Sequence, residues 1–123
     1  MSKYFTESEM ACKCCGQVPP QGVDPHLYEL LDDIRERVGQ PLTLSCVCRC
    51  PAHNAEVGGV PNSQHVTGQA ADILVPEGMT VEELACIAEE MGADGVGRYF
   101  SDGFVHVDVR SGRCADTYRW TVE

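Results

Sequence analysis

Residues 104–109 carry the alternation that most constrains the fold of this chain, because they read Phe-Val-His-Val-Asp-Val. Successive side chains of a β-strand point to opposite faces of the sheet. The pattern places the valines on one face, which we expect to line the core, and His106 and Asp108 on the other. Such a strand suits an antiparallel sheet with one covered face. The polar face is either a functional site or an ordinary solvent-exposed surface, and this strand alone does not decide between them.

Helix signals mark two further segments. Asp24, followed by proline at the first helical position, opens an apolar repeat of helical period that predicts a helix up to Gly39. Thr80 and Glu83 form a capping-box pattern that predicts a second helix up to Gly92. Both helices have the length and the apolar stripe needed to pack on a sheet.

Strands are predicted over residues 41–46, 70–75, 96–100 and 104–109, and a short helix over 51–57. The last two strands are joined by a short turn around Gly103, which is typical of an antiparallel hairpin. Together, these helices and strands predict an α+β fold with helices packed on a mostly antiparallel sheet. With no linker or internal repeat, residues 1–123 are expected to form a single domain, with an irregular cysteine-containing arm over residues 1–23.

The net charge of −10 in a chain of 123 residues argues against two classes of binding partner. Nucleic-acid binding needs a cationic surface, and capture by anionic membranes needs clustered basic residues, so neither partner is expected. No apolar run approaches the roughly 20 residues of a membrane span. The start MSKYFTESEM lacks the apolar region of a secretory signal. We therefore expect a monomer that is synthesised in the cytoplasm without a signal peptide and does not insert into membranes.

Eight cysteines are numerous for a chain of this length, and six of them fall in the segments CKCC and CVCRC. Intracellular proteins rarely keep disulfides, whereas clustered cysteines also bind zinc or stay as oxidation-sensitive thiols. The C-x-C spacing differs from the C-x₂-C spacing of zinc ribbons. Disulfides, a second, structural zinc and free thiols are therefore three open alternatives for these clusters.

The segment SQHVTGQAAD, residues 63–72, supplies two more polar residues of the kind found on the last strand. His65 lies in a predicted loop, and Asp72 lies in a predicted strand among apolar neighbours. A buried carboxylate is costly unless it is paired or binds a metal, although backbone donors would also satisfy it. His65, Asp72 and His106 form the kind of three-ligand set that catalytic zinc sites use, which leaves a fourth position for water.

Two blocks of the sequence, SCVCRCPAHNAEVGGVPNSQHVTGQAADI and FVHVDVR, resemble the M15 family of zinc peptidases. The resemblance rests on S-x-H-x₆-D in the first block and H-x-D in the second, and the start FTESEMACKC also resembles the arm of small members. The family includes D-alanyl-D-alanine carboxypeptidases and dipeptidases, and peptidoglycan-cleaving phage endolysins. The resemblance implies the α+β fold shared with the hedgehog signalling domain, and zinc held by His65, Asp72 and His106. It also implies hydrolysis of a peptide bond in peptidoglycan stem peptides or cross-links that involve D-alanine.

The resemblance assigns further roles by position. Arg49 would stabilise the developing oxyanion or bind the substrate carboxylate, and Ser63 would contact the substrate. A surface ion pair and a loop-capping hydroxyl are the respective alternatives. Family members place an acidic general base three residues before the last histidine ligand, where this chain has Gly103. Asp102 and Asp108 are the nearest acids and both are candidates for the base, although Asp108 is alternatively a residue that orients a metal ligand.

The missing acid supports a second hypothesis, a non-catalytic zinc-binding module of the same fold, since a fold alone does not fix activity. The absence of a signal-peptide pattern also suits a phage-type enzyme that acts on the cell wall after release from the cell. A measurement of substrate turnover distinguishes the enzyme from the non-catalytic binding module.

Overall fold

The computed structural model describes residues 4–5, 7–11, 23–47, 68–110, 112 and 118–122. Within these ranges the chain forms helices α1 (Glu7–Met10), α2 (Pro25–Val38) and α3 (Val81–Glu90). Its strands are β1 (Leu44–Cys46), β2 (Ala70–Leu74), β3 (Gly95–Tyr99), β4 (Phe104–Asp108) and β5 (Tyr118–Val122). The helix predicted over residues 51–57 lies outside the described residues.

Both long helices begin at the predicted residues. The Asp24 side chain accepts a hydrogen bond of 2.8 Å from the backbone N–H of His26, and α2 ends at Gly39, whose φ of 79° is left-handed. Thr80 and Glu83 exchange the two hydrogen bonds of a capping box at the start of α3. These side chains satisfy N–H groups that have no partner inside the helix, which is why the polar residues fix the helix starts. None of the helices in the described part of the chain is long and apolar enough to cross a membrane.

The strands form one sheet in the order β1-β2-β4-β3-β5. The pairs β1–β2, β2–β4 and β3–β4 are antiparallel, and β5 joins β3 in parallel. The predicted α+β class with a mostly antiparallel sheet is confirmed. β1 begins at Leu44 rather than at residue 41, because its pairing with β2 starts there. β5 has no counterpart among the predicted strands, although Tyr118, Trp120 and Val122 alternate with polar residues as in a half-buried strand.

The helices cover one face of the sheet. Val105 and Val107 of β4 and Val96 of β3 are fully buried on the face that packs against α3. Helix α2 contributes its own fully buried stripe to the same core, Leu27, Leu30, Leu31 and Ile34. Phe5 and Met10, from the segment predicted to be an irregular arm, are also buried in this core. The alternate residues of β4 therefore face away from the helices.

Candidate metal centre

The sheet face opposite the helices carries rows of side chains that strand register aligns. In one row, Asp72 is paired with His106, His106 with Gly97, and Gly97 with Trp120, across β2, β4, β3 and β5. Asp108 follows His106 on the same face, two residues further along β4. The register of the sheet therefore brings together acids and a histidine that are up to 36 residues apart in the sequence, from Asp72 to Asp108.

Asp72 and His106 form a buried pair. Each residue is 8% exposed. The Nδ1 atom of His106 lies 3.2 Å from Oδ1 of Asp72. The carboxylate that the sequence places among apolar neighbours thus has a charged or polar partner, as its burial requires.

Asp108 is fully buried and lies on the other side of the His106 ring. Its Oδ2 atom is 2.9 Å from Nε2 of His106. Arg110 donates to both carboxylate oxygens, from Nε at 2.9 Å and from Nη2 at 2.6 Å, and its backbone N–H donates to Oδ1. Burial alone would raise the pKa of Asp108, but the hydrogen bonds from His106 and Arg110 outweigh it and hold that pKa well below its usual range. The Asp108 side chain is therefore an ionised carboxylate that only accepts hydrogen bonds.

The hydrogen bond to Asp108 determines what the other ring nitrogen of His106 can do. If Nε2–H donates to Asp108, the neutral ring has a lone pair on Nδ1, facing the Asp72 carboxylate. A lone pair and a carboxylate oxygen attract each other only through a cation between them, which is either a ring proton or a metal ion. Tetrahedral zinc, with bonds of about 2.0–2.2 Å to nitrogen and oxygen, holds neighbouring ligand atoms about 3.3–3.5 Å apart. The donor types and the 3.2 Å separation fit zinc.

A family model described as Peptidase M15 matches residues 3–108. The chain belongs to the Peptidase M15 family. No match is found among the curated proteins. Membership implies a zinc-dependent metallopeptidase, and the donor pair in the sheet agrees with that chemistry. The match ends at Asp108, so Arg110 and all of β5 lie beyond it.

The structure of this M15 peptidase brings together Asp72, His106 and Asp108 among the predicted site residues. Three other predicted site residues lie outside the described ranges: His65, Ser63 and Arg49. The third predicted zinc ligand and both predicted substrate contacts therefore stay predictions.

Asp102 and Gly103 lie in the turn between β3 and β4. Asp102 is exposed, whereas both ring nitrogens of His106 face other carboxylates. Gly103 has a φ of 72°, and its N–H donates to the carbonyl oxygen of Tyr99 at 2.9 Å. Glycine adopts this left-handed conformation more readily than any L-residue, and aspartate tolerates it better than glutamate, so the turn favours glycine at position 103 and disfavours glutamate.

The cysteine clusters give no second metal centre in the part of the chain that the structure describes. Across those residues no group of three or more His, Cys, Asp or Glu side chains is arranged to hold a metal ion. Residues 12–15 and 48–50 lie outside them. Cys86 is a free thiol on α3, with Sγ 3.3 Å from Oε2 of Glu82. The second, structural zinc therefore has no support from the structure.

Sequence reasoning missed Arg110 and the glycines of β3. A Cβ atom at Gly95 would overlap the Asp108 carboxylate, and one at Gly97 would come within 2.5 Å of the Trp120 indole. Glycine inside a strand often marks a close approach of another group. The segment Gly-Val-Gly at 95–97, with both glycines on the His106 face, is the sequence signal that indicates this crowding.

Proposed function

We propose that this M15 peptidase hydrolyses a peptide bond in peptidoglycan stem peptides or cross-links that involve D-alanine. The observation that carries the proposal is the buried Asp72–His106 pair, whose facing nitrogen and oxygen atoms are 3.2 Å apart, close to the separation of two ligands on one zinc ion. The bond type comes from the resemblance of the two sequence blocks to D-alanyl-D-alanine peptidases. We further propose that the protein acts as a monomer at the cell wall, after a phage-type release.

The zinc ion would be held by Asp72 and by Nδ1 of His106, with His65 as the third ligand. Bound there, zinc supplies Lewis-acid activation of a water molecule and of the substrate carbonyl. Arg49 is proposed to stabilise the negative charge that develops on the carbonyl oxygen, and Ser63 to contact the substrate.

Asp108 is proposed to position His106 and not to act as the general base. We propose that its Oδ2 atom, 2.9 Å from Nε2 of His106, accepts the Nε2–H and so would fix both the ring tautomer and the direction of Nδ1. A general base works best with a pKa near the working pH, whereas hydrogen bonds from His106 and Arg110 hold the pKa of Asp108 far lower. Asp102 is then the acid–base candidate among the predicted residues, as an exposed carboxylate on the turn before β4.

Digestion of purified peptidoglycan by the zinc-loaded protein tests the function directly. We expect release of free D-alanine or of separated stem peptides, detected by mass spectrometry, and the product mass distinguishes a carboxypeptidase from an endopeptidase. His106→Ala is the matched inactive control. If the zinc-loaded wild type releases no more D-alanine and no more stem peptide than this variant, the proposed substrate is wrong.

Two variants test the different roles proposed for Asp108 and Asp102. Asp108→Asn removes the charged acceptor of His106, and we expect zinc affinity to fall about 10–100-fold, the usual loss for a partner of a metal ligand. Asp102→Asn makes the same change on an exposed residue, and we expect unchanged zinc affinity with turnover reduced by about 10²-fold or more. Chelator competition and steady-state rates measure the two effects separately.

A non-catalytic zinc-binding module is the second candidate, favoured by the glycine at position 103. It predicts zinc binding that depends on His106 but no turnover of any peptidoglycan preparation. The same digest, run beside a zinc-binding measurement, decides between the two candidates.

A further inference from the structure

Trp120 lies against the imidazole of His106, although it belongs to a strand beyond the segment that matches the family. Its ring centroid is 4.9 Å from that of His106, and the two rings are tilted by 50°. Trp120 is paired with Gly97 across β5 and β3, and Gly97 is paired with His106 across β3 and β4. We propose that Trp120 is a positioning residue that holds the His106 ring in the orientation that binds zinc, an inference that rests on the proposed role of His106.

The indole reaches His106 because Gly97 leaves room for it. A Cβ atom at position 97 would lie 2.5 Å from both Cε2 and Nε1 of Trp120. Cβ atoms essentially never come this close to other heavy atoms, so any larger residue at position 97 would displace the indole. The glycine thus lets the large indole ring lie across the β3 backbone, next to His106.

A hydrogen bond also restrains the indole. The Nε1–H of Trp120 donates to the hydroxyl oxygen of Tyr99 at 3.0 Å. The Tyr99 ring is in turn stacked on Phe104, with centroids 4.3 Å apart. The indole is therefore held beside His106 by a hydrogen bond to a tyrosine whose own ring is stacked on a neighbour.

These contacts complement those of the two acids. Asp72 and Asp108 contact the nitrogen atoms of His106, so they select which atom points where. Rotation of the imidazole about its Cβ–Cγ bond would exchange those positions and must pass through space beside the ring. Because the Trp120 indole occupies that space, it hinders the rotation and preserves the direction of Nδ1.

Zinc affinity, measured by competition with a chromophoric chelator, tests the inference. We expect Trp120→Ala to weaken zinc binding about 10–100-fold, as for other residues that support a metal ligand. Trp120→Phe keeps a ring beside His106, and we expect it to stay within about threefold of the wild type by the same reasoning. Thr121→Ala, on the same strand but on the opposite sheet face, is the control and should not change the affinity.

The chain contains one tryptophan, so its fluorescence reports on this position alone. Gly97→Ala keeps Trp120 but displaces the indole, and we expect altered metal-free emission together with weaker zinc binding. This variant keeps the inference testable if Trp120→Ala does not fold. Cobalt absorption spectra provide a further readout, because a reoriented ligand changes the metal geometry.

The outcomes separate this inference from the proposed metal centre. If the wild type binds zinc, His106→Ala does not, and both folded Trp120→Ala and Gly97→Ala bind it as the wild type does, the positioning role is wrong and the metal centre stands. If His106→Ala binds zinc like the wild type, the metal centre itself is wrong and the inference falls with it.

Discussion

Two series of ion-paired side chains lie on opposite faces of the same sheet. We call them the helix-face chain and the site-face chain. On the helix face, Arg98 bridges Glu82 and Glu89 at 2.8 and 3.0 Å, and Arg119 continues the chain from Glu89 at 2.9 Å. On the site face the order is Asp72, His106, Asp108 and Arg110. The two chains have similar lengths and similar distances between neighbours.

Burial separates the two chains. The difference lies in the carboxylates: Glu82 is 57% and Glu89 30% exposed, against 12% for Asp72 and 0% for Asp108. Arg98 itself is only 14% exposed. Exposed ion pairs contribute little to stability, because water screens them and the side chains lose entropy. A buried chain is strongly oriented, and removing one member leaves another without its partner. We infer that the helix-face chain joins α3 to β3 and β5, while the site-face chain directs one histidine nitrogen.

The largest expected effect comes from removing the histidine of the site-face chain. His106→Ala is expected to abolish zinc binding and to lower peptidase activity to that of zinc-free protein, because a ligand is lost. The fold should survive, since Asp108 keeps its hydrogen bonds to Arg110. Metal analysis and circular dichroism measure the two effects, and unfolding of the variant would mean that the site face supports the core.

The neighbouring residue on the other face should show the reverse pattern. Val107 is fully buried in the core. Val107→Ala is expected to lower the free energy of unfolding by about 2–3 kcal/mol through lost burial and a cavity, without changing zinc affinity. Urea unfolding measures the loss. A large change in zinc affinity with little change in stability would contradict the division between the faces.

A smaller effect is expected at Asp24, which connects α2 to the start of β2. Besides capping α2, its Oδ2 accepts a hydrogen bond from the Gln69 side chain at 3.1 Å. Asp24→Ala should cost about 1 kcal/mol, and Asp24→Asn should cost less because asparagine also caps helices.

The same residue gives stability a pH dependence. Burial would raise the pKa of Asp24, but hydrogen bonds from His26 and Gln69 outweigh it and lower the folded-state pKa below 3.8. Its contribution is therefore fully present above the unfolded-state pKa and is lost as the pH falls through the folded-state pKa. Acid unfolding curves should show this contribution in the wild type and not in Asp24→Asn.

The smallest effect on stability is expected in the helix-face chain. Arg98→Gln should change the free energy of unfolding by about 1 kcal/mol or less and leave zinc affinity unchanged. Arg110→Gln is the matched change on the site face, and we expect it to weaken zinc binding because Asp108 loses the partner that holds it. Equal effects of the two variants on zinc affinity would remove the distinction between the chains.

The sequence predicts the local elements and the two faces of β4 well, since caps and alternation are local signals. Asp24, Thr80 and Glu83 mark the helix starts, and the alternation through His106 assigns the two faces of β4. The parallel pairing of β5 has no such signal, because it depends on contacts between segments that are distant in the sequence.

The residues that hold His106 in place were predictable only in part, because their contacts also join segments that are distant in the sequence. Asp108 is on the correct face by alternation, but its choice between base and positioning residue depends on Arg110, whose bidentate contact is a tertiary feature. Trp120 reaches His106 only across β3, so no spacing in the sequence reveals the contact.

Long-range proton–nitrogen correlation spectra of the His106 ring, recorded with and without zinc, show which ring nitrogen binds the metal. We expect zinc to bind Nδ1, while Nε2 stays protonated and hydrogen-bonded to Asp108. Zinc on Nε2, or a His106 ring whose nitrogen shifts do not respond to zinc, would contradict it.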